Sequence, residues 1–294
     1  LNLTDDLLLV LGVRNERAHY DGRDRLSGAD FRARGGEWAP KAALSWRVIE
    51  PVSLYASYAR GIRFPHFDEA FGVFGTSPGL GPENSQSYEV GAKVRTECLT
   101  FNVAAYYTNV YDEIFFNPLA PNPLGFFPGI NVNLDRVRHR GVEVFASVRP
   151  TRWLDVYGSY TFDDVEIARD SLTGLEGSQM PLTPRHRGNA GLRVYLPWNF
   201  EVGADAVWVG DRRLANDVLN RLDRLPGWAR YDARLGWRRN LSEWLSLSID
   251  ATVYNLTGER YTEFGGVSSF SPRVGFFPSP ERHYVVTTEV AVNW

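Results

Sequence analysis

Trp244–Asn255 reads WLSLSIDATVYN. Leu245, Leu247, Ile249, Ala251 and Val253 occupy every second position, and Ser246, Ser248, Asp250, Thr252 and Tyr254 fill the places between. Successive side chains of an extended chain point to opposite faces, so this period of two makes a strand with one apolar and one polar face. The same alternation runs through Leu54–Ala59, Leu99–Tyr111, Leu154–Phe162, Gly188–Leu196 and Phe200–Gly210. It closes the chain in Tyr284–Trp294, where Tyr284, Val286, Val290, Val292 and Trp294 oppose His283, Glu289, Ala291 and Asn293. Roughly twelve such segments of about a dozen residues each can be read, against about five or six residues for an ordinary globular strand. Strands of that length do not suit a soluble sandwich.

The connections sort by length. Short ones centre on Glu50-Pro51, Thr96-Glu97, Pro150-Thr151, Pro197-Trp198 and Asn240–Glu243. Between them lie Gly/Pro/Asp-rich stretches: Tyr20–Gly36, Phe64–Asn84, Pro118–Gly129, Asp170–Arg185, Asp211–Leu225 and Gly258–Pro280. Short turns on one rim and long loops on the other are the pattern of a bacterial outer-membrane barrel. Tryptophan placement is an independent sign. Trp153, Trp198 and Trp244 sit beside short turns, Trp46 lies just before one, and Trp294 is the last residue. An indole favours the membrane–water interface, with its ring buried and its N–H wet. The competing reading, core tryptophans in a soluble sandwich, would need each apolar face to meet a second sheet.

Composition narrows the classes. The 294 residues carry a net charge of −3, with nine Trp, fourteen Tyr and seventeen Phe beside one Met. No basic field points to nucleic acid. A single cysteine, Cys98, excludes a disulfide framework, and five scattered histidines show no metal-ligand spacing. Mean hydropathy is −0.29, and no apolar run approaches the ~18 residues of a membrane helix. The chain starts at Leu1 without an initiator Met or signal peptide, which fits a mature or partial chain. No linker or charge run divides it, so residues 1–294 read as one domain.

Nine stretches in order carry a family likeness: Leu7–Glu16, Trp38–Val48, Ser53–Phe71, Gly81–Val94, Asn133–Pro150, Pro181–Tyr195, Pro226–Trp237, Val253–Tyr261 and Glu281–Trp294. Taken together, the chain resembles the C-terminal part of the β-barrel of a TonB-dependent outer-membrane receptor. The resemblance implies an all-β, transmembrane, antiparallel up-and-down barrel in the bacterial outer membrane. It implies a sector of about twelve strands from a larger barrel, since transporters of this kind close at about 22. The family's plug domain and the energy-coupling box read by TonB have no counterpart in this sequence. The final aromatic, Trp294, resembles the signal by which such barrels are recognised for assembly.

The resemblance implies a receptor that imports a scarce large solute with energy from TonB acting through a plug. A ferric siderophore is the first expectation, and cobalamin or another organic molecule the next. Outer-membrane lipid and lipopolysaccharide are the expected surroundings, and no cofactor is expected. A passive pore and a structural barrel subunit are the alternatives, and a plug sequence upstream of Leu1 would separate them. No nucleophile–base set emerges, so an enzyme is not expected.

Individual residues divide between structure and binding. In Arg60–Phe71, Pro65 ends the ladder, and Asp68 and Glu69 suit the first turn of a short helix. Glu89, Lys93 and Arg95 share the polar face of one strand. Arg138, His139, Arg140, Glu143, Arg187 and Arg193 form a similar set, read as an ion network facing the lumen rather than a solute path. The long loops hold aromatics that would mark a ligand surface if exposed: Phe71, Phe74, Phe115, Phe116, Phe126, Phe127, Phe264, Phe270, Phe276 and Phe277. Phe74, Phe126, Phe127, Phe264 and Phe276 are the candidates for covering an apolar face of a chelate. Arg63, Arg212, Arg213 and Arg273 lie near them and could add charge, with Arg212, Arg213 and Arg273 the candidates for its negative groups. The bland alternative is that the loops pack on one another.

Overall fold

The computed structural model describes residues 1–23, 25, 30–71, 77, 79–122, 129–171, 174–268 and 274–292. The first five strands are β1 (Leu7–Arg23), β2 (Asp30–Ile49), β3 (Val52–Arg63), β4 (Glu83–Arg95) and β5 (Leu99–Asn117). Then come β6 (Ile130–Thr151), β7 (Leu154–Arg169), β8 (His186–Leu196), β9 (Phe200–Val209), β10 (Trp228–Asn240) and β11 (Leu245–Tyr254). β12 (Thr262–Val267) and β13 (Val274–Pro278) form a separate hairpin, and β14 (His283–Val292) returns to the main sheet. A short helix, α1 (Phe67–Phe71), follows β3 with Asp68 and Glu69 in its first turn, as the sequence predicts.

Twelve strands make one antiparallel sheet in chain order, with β14 beside β11. Among the described residues β1 and β14 are its two edges, so the sheet within this chain is open. Directly opposed residues share a face. One row runs Leu44, Ala56, Val90, Ala105, Val142 and Phe162 across six strands. Another runs Val156, Leu192, Ala204, Ala233, Val253 and Tyr284. These outward rows are apolar, and Leu44, Val90, Leu192, Ile249 and Val286 are exposed. Water would not tolerate so continuous an exposed apolar band; lipid requires it. The tryptophans of the short-turn rim, Trp46, Trp153, Trp198 and Trp244, are all exposed as well. Trp294 lies outside the described residues.

Tyrosine and glycine shape the opposite face. Tyr55, Tyr106 and Tyr157 each stand directly across from a glycine on the next strand, Gly91, Gly141 and Gly191. A Cβ on Gly91 or Gly191 would sit 2.6 Å from the facing ring. The bare glycine lets the ring lie flat on the neighbouring backbone, which permits close approach and curvature. The hydroxyls of Tyr55, Tyr106 and Tyr157 then reach Glu89, Asp163 and Asp205.

The buried apolar core lies beyond the membrane-facing rows, at the long-loop rim. Leu134, Val137, Val165, Ile167, Leu175, Met180 and Val218 pack there, with Phe115, Val132 and Leu219 against them. Two expectations about loops need correcting. Tyr20–Gly36 is mostly strand, because β1 and β2 stay paired from Arg17↔Gly36 out to Arg23↔Asp30. Ladder bonds satisfy the backbone in water as well as in lipid, so strands need not stop at the membrane edge. Gly258–Pro280 is not irregular throughout, since it contains β12 and β13.

Candidate functional site: the loop layer above the lumen wall

The long-loop rim is a built layer. In the β9–β10 connection, Arg212 is 4% exposed and its Nη2 donates to the carbonyls of Thr262 (2.8 Å) and Glu263 (2.6 Å) on the β12 side. Burial pushes this guanidinium below its usual range, with only Glu263 acting the other way. Ala215 donates its N–H to Gly265 O, and Val267 donates to Ala215 O, each at 2.9 Å. The Asn216 amide adds a bond to Val267 O at 2.9 Å. A third segment joins through Leu182 N–H to Arg213 O at 3.0 Å. Gln179 N–H donates to Asn220 Oδ1 at 2.7 Å, and Asn220 Nδ2 returns a bond to Gln179 O. The β7–β8, β9–β10 and β11–β14 connections therefore form one unit.

A second unit straps α1. Arg63 donates to Glu69 at 2.8 Å and to Glu83 at 2.5 Å. Asn131 Nδ2 donates to Glu69 O at 2.9 Å, and Asn133 Nδ2 donates to Gly81 O at 3.1 Å and Asp112 O at 2.6 Å. Below both units the inner face carries charge in pairs. Arg234 meets Asp250 at 2.5 Å, while Arg193 and Arg234 both approach Glu201 at about 4 Å. These groups line a polar hollow of about 450 Å³ toward the short-turn rim. Lys93 lies over the Tyr55 ring at 4.9 Å, and Arg193 lies over Tyr157 at 5.8 Å.

An apolar outward band, a polar inner wall and loops sorted by rim now stand together, and residues 1–256 match the family model for the TonB dependent receptor-like β-barrel. The chain belongs to the TonB-dependent receptor family. It is 26% identical over 182 residues to the ferrichrome outer membrane transporter/phage receptor of Escherichia coli (strain K12), covering 62% of this chain and 23% of that protein. It is 22% identical over 193 residues to the vitamin B12 transporter BtuB of Photobacterium profundum, covering 65% and 30%. Among solved structures, the siderophore receptor PiuA from Acinetobacter baumannii superposes with a TM-score of 0.76 at 20% identity, over 99% of this chain and 41% of that one. The copper transporter OprC gives 0.78 at 21% identity, over 98% and 45%. The chain thus spans less than a third of these curated relatives and less than half of these structures.

TonB-dependent receptor barrels are outer-membrane proteins, and so is this one. Barrels of that membrane carry short turns on the periplasmic side and long loops outside, which makes the loop layer extracellular. Its ligand candidates fall out unevenly. Phe74, Phe126, Phe127 and Arg273 lie outside the described residues. Phe264 and Phe276 are both exposed on the β12–β13 hairpin but on opposite faces: Phe264 stands across from Phe277, edge-on at 5.4 Å, and Phe276 across from Gly265. Arg212 is committed to holding that hairpin rather than open to a solute. Arg213 donates through Nη1 to Leu222 O at 3.0 Å. Phe115 packs against the core, while Phe116 stays exposed.

Parity corrects the charge set. Glu143, Arg187 and Arg193 face the lumen, but Arg138 and Arg140 share the face of Val142 and point outward. There Arg140 meets Asp164 at 2.7 Å, and Arg138 pairs with Glu166. Asn255, within the Val253–Tyr261 stretch, takes a structural role that the sequence reading does not assign. It is fully buried at a φ of 54°, its backbone N–H bonds Asp232 at 2.8 Å, and its amide spans Glu259 O and Glu259 N. An asparagine between a strand and Leu-Thr-Gly is a signal for this turn, because Asn tolerates the left-handed region and bonds local backbone.

Proposed function

We propose that this chain is the barrel part of a receptor that captures a scarce large solute on its extracellular loops. Import would draw on TonB acting through a plug. A ferric siderophore is the first choice, with cobalamin or another organic molecule next. The observation that carries this reading is the interlocked loop layer, which holds Phe264 and Phe277 exposed on one face of its hairpin and Phe276 exposed on the other. Exposed aromatics on a rigid support suit stacking onto an apolar or aromatic solute at low ordering cost. Phe74, Phe126, Phe127, Arg213 and Arg273 complete the proposed surface, the arginines meeting negative groups with paired donors. The named relatives support the class: one carries ferrichrome, one vitamin B12, and the structural neighbours include a siderophore receptor and a copper transporter. Lipid and lipopolysaccharide would surround the outward band. A passive pore would gain nothing from such a layer.

The test is growth of cells lacking competing receptors on a panel of chelated iron sources and cobalamin, with the intact receptor supplied. One source should depend on it and on TonB. Alanine at Phe264, Phe276 and Phe277 should weaken that uptake while the barrel still assembles. Unchanged uptake after removal of every named loop aromatic would overturn the assignment of the surface.

A further inference from the structure

Where β12 begins, buried hydrogen-bond donors collect without acceptors. Arg212 commits Nη2 to the carbonyls of Thr262 and Glu263, while its Nη1 is buried and meets no partner among the described residues. Just ahead of them, the buried Tyr261 ring packs on the Trp228 indole with centroids 4.2 Å apart. Trp228 Nε1 is likewise buried and unpartnered. Arg230 donates through Nη1 to the Tyr261 hydroxyl at 3.3 Å, and its Nε is a third buried donor of this kind. Three side chains, from the β9–β10 connection and from β10, thus rest on Tyr261–Glu263. Each brings there a buried N–H that finds no acceptor among the described residues.

The neighbouring acids are engaged elsewhere. Asp232 holds Arg230 at 3.1 Å and accepts from the Asn255 N–H at 2.8 Å. Asp211 pairs with Arg224 at 3.0 Å. Glu263 gives Arg212 its backbone carbonyl, and its residue is exposed. A buried guanidinium is costly unless something negative accepts from it. Indole and guanidinium N–H groups can only donate, so whatever meets them must accept. A water would have to turn two hydrogens of its own away from these donors, whereas an anion has none to place. The space is small. Arg212 and Leu225 exchange backbone bonds at 3.1 and 2.8 Å, and Ala215 bonds Gly265 at 2.9 Å, with Leu214 and Leu225 buried beside them. Segments held that close suit a single-atom ion better than a phosphate or a carboxylate.

We propose that the start of β12 carries a buried halide site, occupied by chloride, that takes its N–H groups from Arg212 Nη1 and Trp228 Nε1, with Arg230 Nε as a third donor. The ion ties the β9–β10 connection, β10 and β12 together at one point and so stiffens the loop layer. Its signature has a definite sign. Salt screens exposed ion pairs and loosens them, whereas a bound halide makes this junction firmer as its concentration rises. The site does not depend on which solute is imported.

Crystals of the intact receptor soaked in bromide locate the site by anomalous scattering. A peak is expected within hydrogen-bond distance of Arg212 Nη1 and Trp228 Nε1. In solution, the melting temperature of the detergent-solubilised receptor should climb with the logarithm of chloride or bromide, at an ionic strength held constant with gluconate. Trp228→Phe keeps a ring on Tyr261 and removes the N–H, so it should weaken halide affinity several-fold. Arg212→Gln should abolish the response. Arg221→Gln, which removes an exposed cation from the same connection, should leave it intact. Heat-modifiable gel migration checks that each variant has folded, and if Arg212→Gln does not assemble, Trp228→Phe and the bromide peak still decide. No peak at this position, melting indifferent to halide, or a halide response unchanged in Trp228→Phe would overturn the proposal. A peak without halide-dependent melting would mark an adventitious ion only and overturn it equally.

Discussion

Asp112 is the residue where conformation and charge disagree most openly. It sits on β5 beyond Tyr107, at a φ of 57° that few side chains other than Asn and Asp adopt readily. Burial first, and then the neighbouring Asp135, push its carboxyl above the usual range. A folded state that raises a carboxyl's pKa holds a proton the unfolded chain would release. The stabilisation is therefore present at low pH and is lost as pH rises through the ordinary carboxylate range to the raised folded value. Asp112→Asn removes the charge, suits the left-handed backbone and leaves the Asp112 carbonyl free to accept from Asn133. The variant should melt higher than the parent at about pH 7 and close to it at about pH 4. A gap that widened toward acid would show that Asp112 is held as a carboxylate.

Strands carry two kinds of constraint, one per face. On the outer face, Leu235 and Val286 share an exposed row well inside both rims, so Leu235→Arg should cost about 2–4 kcal/mol near the midplane. Denaturant unfolding into lipid vesicles measures that directly, and an outward polar change such as Thr288→Ser should cost far less. Ser248 is a poorer comparison than its polarity suggests, because it is buried beside Glu289. On the inner face the tyrosine–glycine pairs differ in what lies over the glycine. The nearest atoms to a Cβ on Gly91 all belong to the Tyr55 side chain, whereas one on Gly141 meets the Phe162 carbonyl as well as Tyr106. Gly91→Ala should therefore be largely rescued by Tyr55→Ala, and Gly141→Ala should not be rescued by Tyr106→Ala. Double-mutant cycles read the difference as a coupling free energy. Equal rescue in the two pairs would mean the backbone at Gly141 yields freely.

For the whole molecule the loop rim and the turn rim must face different compartments. Leu222 is exposed in the β9–β10 loop, and Leu241 and Cys98 are exposed at short turns. A membrane-impermeant maleimide added to intact cells should label Leu222→Cys and leave both Cys98 and Leu241→Cys unlabelled until the outer membrane is permeabilised. The reverse pattern would invert the topology. The same loop layer explains why the molecule has a buried core at all. The sheet itself buries little, since one face is given to lipid and the other to the lumen, and packing is left to the loops that close over one end.

Alternation in stretches such as Trp244–Asn255 was enough to determine the strands, their two faces and the two rims. Each residue partitions between lipid and lumen by its own chemistry, so a local period of two carries that information without any knowledge of partners. Even the outward placement of Arg138 and Arg140 was legible, by counting back in twos from Val142. The extension of β1 and β2 past Tyr20 was not, because ladder bonding of a polar hairpin leaves no hydrophobic trace. Nor was the fate of Arg212, read as a solute contact and found holding β12 from 50 residues away. Loops have no period, and a guanidinium serves a carbonyl or a phosphate equally well. Which one it meets is decided by how three connections pack together, and only the tertiary structure brings them to the same place.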